Sequence, residues 1–135
     1  MTPEGMTSHP SNRGPKETMD RLAAAVTSRG MDVLARIDHA AAAAKVGLEL
    51  RPTEVLIFGN PKAGTPLMQA VQTIGIDLPL RALVWQDAAG KTWLAYNDPQ
   101  WLARRHGADQ GTERVVAAMA EALAAVAQGA TGSAS

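Results

Sequence analysis

His39 is the first residue whose type and position suit chemistry, because it follows Asp38 where a predicted strand meets a predicted helix. A histidine at such a junction can act as a general acid–base, and a carboxylate can orient its ring. However, aspartate is also a favoured helix N-cap, and His39 would then simply occupy the first helical turn. The residue pattern alone favours this capping interpretation.

A second candidate is the run Gly59-Asn60-Pro61-Lys62, which places an amide and an ammonium group at a predicted helix N-terminus. Free N–H groups and the helix dipole make such ends suitable for anions. The spacing of a phosphate-binding loop, G-x-x-x-x-G-K-[ST], is absent. An ordinary helix capped by Asn60 and opened by Pro61 is therefore the favoured interpretation, with an anion site as the alternative.

Asp77 is a polar residue within an apolar loop, between Ile76 and Leu78-Pro79. One interpretation pairs it with His39 as the carboxylate of an acid–base pair. The other makes it a loop anchor that accepts backbone hydrogen bonds, and this second interpretation is favoured.

Other kinds of site find little support in the sequence. The chain has no cysteine, which excludes thiolate nucleophiles and thiolate metal ligands. The three histidines, His9, His39 and His106, are far apart and match no metal-binding spacing, so no metal site is predicted and no cofactor is indicated. Arg104-Arg105-His106 is interpreted as a solvated helix end rather than a nucleic-acid patch.

Three tryptophans, Trp85, Trp93 and Trp101, lie in neighbouring predicted elements. They suit a ligand pocket, a subunit interface or the core. Because the chain has only one Phe and one Tyr besides, core packing is favoured.

The elements that must position these residues follow from periodicity, caps and turn signals. The predicted helices begin near Thr18, at His39, after Asn60, after Asp98 (the short helix that carries Trp101) and near Thr112. The predicted strands cover 31–37, 55–58, 80–86 and 92–96. The order α-β-α-β-α-β-β-α-α predicts an α+β, two-layer sandwich in which a four-stranded mixed sheet packs against helices.

Composition predicts one domain, 17–128, between flexible tails at 1–16 and 129–135 that are rich in small and polar residues. Thirteen basic and thirteen acidic residues balance, so we expect no nucleic-acid or membrane partner. No apolar run is long enough for a signal or a membrane span, so we expect a cytoplasmic protein.

The segments RIDHAAAA, KVGLELRPTEVLIFGNPKAGTPLM and IDLPLRALVWQDAAGKTWLAYNDP, with their spacing, resemble the bacterial and archaeal family called domain of unknown function 302. The resemblance covers 18–106 and leaves the predicted helix 112–128 outside. It implies a compact α+β fold and dimerisation, but no activity. The recurring positions of the family, carried onto this chain, are Asp38, His39, Phe58, Gly59, Asn60, Pro61, Asp77, Leu78, Pro79 and Tyr96.

That resemblance strengthens the case for one shared site, since these polar positions lie at element ends that can meet at one sheet edge. The leading hypothesis is a homodimeric domain that binds a small molecule or ion at His39, Asn60 and Asp77, with Lys62 at the rim. The alternatives are an enzyme using His39 as general acid–base with Asp77, and a structural dimerisation module without a ligand.

Overall fold

A computed structural model describes residues 2–132 of the chain. This part forms five strands, five α-helices and one 3₁₀ helix. The strands are β1 (Met6–Pro10), β2 (Asp32–Asp38), β3 (Thr53–Gly59), β4 (Leu80–Gln86) and β5 (Thr92–Asn97). The helices are α1 (Pro15–Ser28), α2 (His39–Lys45), α3 (Pro61–Ala70), α4 (Pro99–Arg105) and α5 (Glu113–Thr131), and the 3₁₀ helix is Gln72–Ile76.

The sheet has the strand order β1-β5-β4-β3-β2, and every neighbouring pair is antiparallel. The α+β class is confirmed, but the prediction of a four-stranded mixed sheet is wrong in strand number and direction. The additional strand, Met6–Pro10, lies in the segment predicted to be a flexible tail. Its polar sequence has no strand periodicity, and it is ordered by pairing with β5.

The predicted ends of the domain also differ from the structure. α1 begins at Pro15 after the N-cap Gly14, not near Thr18, whose buried hydroxyl lies 2.7 Å from the hydroxyl of Ser11. At the other end α5 continues to Thr131, beyond the predicted limit of 128. The remainder of the predicted C-terminal tail, 133–135, lies outside the described residues.

The helices build the second layer and close the core. α1 contacts β2, β3, β4 and β5, while α5 contacts α1 and the β1–β5 side of the sheet. Between these layers lies the main apolar cluster, which includes Leu22, Leu56, Phe58 and Leu123. A second apolar cluster, which includes Leu67, Ile74, Ala103 and Met119, joins α3, the 3₁₀ helix, α4 and α5. None of the helices within 2–132 is long and apolar enough to cross a membrane.

Candidate functional site

His39 is the first residue of α2, directly after the end of β2. Its neighbour Asp38 is the helix N-cap, since the Asp38 carboxylate accepts a 2.9 Å hydrogen bond from the amide of Ala41. The His39 side chain is exposed and has no hydrogen-bond or ionic partner within 2–132. The capping interpretation therefore describes this junction, and no carboxylate orients the imidazole.

Asn60 lies at the opposite end of β3 from His39. β2 and β3 are antiparallel, with Asp38 opposite Glu54, so six residues of strand separate His39 from Asn60. At about 3.3 Å per residue this is roughly 20 Å, far beyond hydrogen-bond reach. The structure therefore does not bring His39 and Asn60 together, and a single site built from His39, Asn60 and Asp77 is not formed.

The helix end at Asn60 is satisfied by its own chain. The Asn60 side-chain oxygen accepts from the amide of Lys62 at 3.0 Å, and the Asn60 carbonyl accepts from the amides of Ala63 and Gly64. These bonds occupy the N–H groups that an anion would need. The Lys62 ammonium group is exposed, without an ion pair in the described part of the chain.

Asp77 does meet a histidine, but the histidine is His106. The Asp77 carboxylate lies 2.5 Å from Nε2 of His106, and Arg105 donates to both of its oxygens at 2.9 and 2.8 Å. Nδ1 of His106 is in turn 3.0 Å from the hydroxyl of Thr73. We call these four residues the Asp77 cluster.

The Asp77 cluster fastens the 3₁₀ helix and the loop after it to the end of α4. The side chains of His106 and Asp77 are only 10% and 17% exposed. Since hydrogen bonds accepted by a carboxylate are stronger than those between neutral groups, the cluster holds both segments in place. The sequence did not predict this pairing, because Asp77 and His106 are 29 positions apart. The hydrogen-bonding side chains of Arg105 and His106 at a predicted helix end were the only feature of the sequence that pointed to it.

A cavity of about 390 Å³ lies at the end of the sheet where β2 begins and β3 ends. Its walls come from the α1–β2 junction, the start of α3, the loop before β4 and one side of α5. The lining residues are Arg29, Met31, Asp32, Leu34, Gly59, Asn60, Pro61, Ala63, Gly64, Thr65, Met68, Leu78, Pro79, Leu80, Ala118, Met119 and Ala122.

The cavity is mainly apolar, with four polar residues in its lining. The Asn60 oxygen is used by the helix cap, whereas its Nδ2 group has no partner within 2–132. Arg29 and Asp32 are exposed and make no ion pair in that part of the chain. Apolar walls, a few polar groups and this volume are the usual properties of a small-molecule pocket. Of the four predicted site residues, only Asn60 is in this lining.

Arg36 in the middle of β2 is fully engaged, unlike Arg29 and Asp32 at its start. Its guanidinium group pairs with Asp20 of α1 at 2.9 Å and with Glu54 of β3 at 2.7 Å. The hydrogen bond from Arg36 lowers the pKa of Asp20, and the bond to Glu54 raises the pKa of Arg36. These contacts tie β2 to α1 and to the neighbouring strand β3.

The tryptophans lie away from the cavity. Trp85 and Trp93 stack on each other across the β4–β5 pair, with ring centroids 6.3 Å apart. Asp87 in the turn accepts hydrogen bonds from the indole of Trp93 and from the Ala89 and Lys91 amides. The bond from Trp93 is the main cause of a lowered pKa at Asp87. Asp87 therefore has a turn-forming role.

His9, the remaining histidine, lies on β1 and stacks against Tyr96 of β5 with ring centroids 5.7 Å apart. Burial raises the pKa of Tyr96 above its usual value. Within the described residues, no three His, Cys, Asp or Glu side chains gather as a group that could hold a metal ion.

The fold described above is that of a small α+β domain, and comparison with protein families identifies which family it belongs to. The model "Domain of unknown function DUF302" matches residues 7–126, so the chain belongs to this family. The suspected resemblance is thereby confirmed. Its predicted limits, 18–106, are too narrow, since the match includes β1 and most of α5.

Three curated proteins are similar to this chain in sequence. "Fluoride-specific ion channel FluC 1" from Brucella suis and the protein of the same name from Brucella abortus are each 47% identical over 128 residues. "Fluoride-specific ion channel FluC 2" from Brucella melitensis has the same identity. These alignments cover 95% of this chain but 50%, 47% and 47% of the relatives, so the chain spans about half their length.

A solved structure shares the fold. The "uncharacterized conserved protein DUF302 from Bacillus stearothermophilus" superposes with a TM-score of 0.82, covering 93% of this chain and 98% of its own. At 22% identity this similarity concerns the architecture alone.

Proposed function

We propose that this domain binds a small, mainly apolar molecule in the cavity at the β2–β3 end of the sheet. The observation that carries the proposal is the cavity itself: about 390 Å³, lined largely by apolar side chains. Three of the lining residues are methionines, Met31, Met68 and Met119, whose flexible side chains adapt to ligands of different shapes. The free Nδ2 group of Asn60 can donate to a polar atom of the ligand.

This proposal replaces the predicted site at His39, Asn60 and Asp77, and it retains only Asn60. An enzyme that uses His39 as general acid–base with Asp77 has no geometric support, because Asp77 is engaged by Arg105 and His106. The proposal thus concerns binding, not catalysis.

A cavity-filling substitution tests the proposal. A Cβ atom on Gly64 would lie 3.7 Å from Leu78 and 3.9 Å from Met68, both in the cavity lining, so Gly64→Leu should fill the space without disrupting α3. The matched control is Ala24→Leu on the exposed side of α1. We expect N-phenyl-1-naphthylamine, a neutral apolar fluorophore, to bind the wild type and Ala24→Leu, and to bind Gly64→Leu at least tenfold more weakly.

Equal binding to all three proteins would place the fluorophore elsewhere and contradict the proposal. Native mass spectrometry of the freshly purified protein would complement this test. A retained small molecule that is lost in Gly64→Leu would identify the natural ligand.

We also propose that the domain works beside a fluoride-specific ion channel. The support is the identity of 47% with half of each Brucella protein that carries this name. Domains joined in one chain in some organisms commonly act together. The mainly apolar cavity does not suit fluoride itself, so the proposed role is accessory rather than ion-binding.

Proteoliposomes offer a direct test of the accessory role. We expect fluoride efflux through the Brucella suis protein to change in rate when the half that matches this chain is removed. Unchanged efflux, together with an unchanged response to added domain, would contradict the proposed role.

Self-association is a third proposal, and it has its own observation. In residues 2–132, six of the seven exposed large hydrophobic side chains lie in the β2–α2 segment, 33–50: Val33, Leu34, Ile37, Val46, Leu48 and Leu50. α2 itself contributes no buried residue. Concentrated exposed apolar surface marks interaction sites. We infer that this segment contacts a second copy of the chain.

A further inference from the structure

The cavity borders the free edge of the sheet. β2 is an end strand, and it pairs only with β3 within the described residues. Two residues of β2, Asp32 and Leu34, belong to the cavity lining. Leu34 is nevertheless 60% exposed, and it lies at the register shift between Val33 and Ala35 on this edge strand. A lining residue with this exposure indicates an incomplete wall.

The same edge carries two charges without partners. Arg29 is the C-cap of α1 and Asp32 is the first residue of β2. Both line the cavity and are exposed. Neither makes an ion pair within 2–132, whereas Arg36 on the same strand has two carboxylate partners. The cavity edge thus presents one positive and one negative group a few residues apart.

Such an arrangement is self-complementary under two-fold symmetry. In a symmetric dimer, residue i of one copy meets residue j of the other, and j meets i. One unpaired cation and one unpaired anion on the same edge then form two opposite-charge pairs. The adjoining segment, 33–50, also has no net charge, since Arg36 and Lys45 balance Asp38 and Glu49. A strongly acidic or basic partner would fit this surface less well.

We propose that a second copy of this chain docks on the β2 edge, pairs Arg29 of each copy with Asp32 of the other, and closes the cavity with its Leu34. The ligand cavity is then complete only in the dimer. This inference rests on the proposed ligand binding and self-association, and adds their coupling: by linkage, a ligand held in the closed cavity strengthens the dimer by the factor by which dimerisation strengthens ligand binding.

Charge reversal tests the pairing. Arg29→Asp and Asp32→Arg each convert both inter-copy pairs into like-charge contacts, so each variant alone should dissociate at least roughly tenfold more readily. Both positions are exposed, so the fold should be retained. Sedimentation velocity at increasing protein concentration measures the effect.

Mixing the two variants provides the decisive control. In the mixed dimer Asp at position 29 of one chain faces Arg at position 32 of the other, and the native Asp32 faces the native Arg29, so both pairs are again of opposite charge. We expect native mass spectrometry to show the mixed dimer in excess over either homodimer. We also expect the mixture to regain fluorophore binding that the separate variants lose.

The possible outcomes separate this inference from the proposals beneath it. A wild-type dimer that both variants leave unchanged would overturn the pairing, since the interface would lie elsewhere. A monomer that binds the fluorophore in a Gly64→Leu-sensitive manner would overturn the shared cavity and leave ligand binding intact. If the mixed dimer forms but binds no fluorophore, the charge pairing stands. The shared ligand site is then overturned, because the ligand binding on which it rests has failed.

Discussion

The loop that carries Asp77 and the segment from 33 to 50 are both connections at the margin of the sheet, but only one is held by its own chain. Asp77 has three hydrogen bonds to Arg105 and His106, and its neighbour Leu78 packs against both apolar clusters. The segment from 33 to 50 leaves its large apolar side chains exposed and its histidine without a partner. The difference separates a region that supports the fold from one whose surface is available for binding.

The largest expected contrast is between a leucine that packs with the Asp77 loop and a leucine of the segment from 33 to 50. Leu67, which is 2% exposed, packs in the same apolar cluster as Leu78. Leu67→Ala should lower the free energy of unfolding by about 2–5 kcal/mol through lost burial and an added cavity. Leu48 is 65% exposed, so Leu48→Ala should lower the free energy of unfolding by less than about 0.5 kcal/mol.

Urea denaturation of both variants measures this contrast, at a protein concentration low enough to keep the chain monomeric. Similar losses in the two variants would show that Leu48 is also buried in solution.

The next effect concerns the Asp77 cluster. Asp77→Asn keeps the size of the side chain but removes the charge that holds Arg105 and His106. It should lower the free energy of unfolding by about 1–3 kcal/mol. Asp109→Asn is the matched control, since Asp109 is exposed and has no partner within 2–132. If urea denaturation gave the two variants equal stability, the cluster would be a solvated surface arrangement.

A smaller effect is expected at the junction of β2 and α2. Asp38→Ala removes the bond to the Ala41 amide and should cost about 1 kcal/mol, mostly as local opening of α2. His39→Ala should change stability by less than about 0.5 kcal/mol, because no side-chain contact is lost. Faster amide hydrogen exchange at Ala41 in Asp38→Ala alone is the expected result; faster exchange in both variants would give His39 an unseen structural role.

The smallest effect is expected from Arg36→Met. Arg36 is a third exposed, so its pairs with Asp20 and Glu54 should contribute no more than about 1 kcal/mol. Because Arg36 lowers the pKa of Asp20 in the folded state, its contribution is present above the unfolded value of about 3.9 and is lost as the pH falls through the lower folded value.

Urea denaturation of Arg36→Met and the wild type between pH 7 and pH 2.5 checks the sign of this effect. The stability difference should shrink on acidification. A difference that grew instead would exclude the Asp20 pair as its source.

Local signals in the sequence predicted local structure well. The caps at Asp38 and Asn60 depend on residues a few positions apart, and both form. The order of the remaining helices and strands was also predictable, because each has its own periodicity.

Long-range pairings were not predictable in the same way. Met6–Pro10 has too little apolar character to indicate a strand, and it is ordered by pairing with β5 and by contact with α5. The histidine for Asp77 was sought at His39 because of its aspartate neighbour, yet the fold supplies His106, which directly follows α4. The cavity is formed by four separate parts of the chain, and no sequence pattern indicates that they meet.

The position of β1 has a consequence for synthesis of the protein on the ribosome. β1 is made before the other strands of the described chain, but Thr7 pairs with Tyr96, 89 positions later. Contacts at such sequence separation form slowly, because the intervening chain must first be closed into a loop. Until β5 has emerged, β1 has no partner, and a nascent chain stalled before Tyr96 would present an unpaired strand to chaperones.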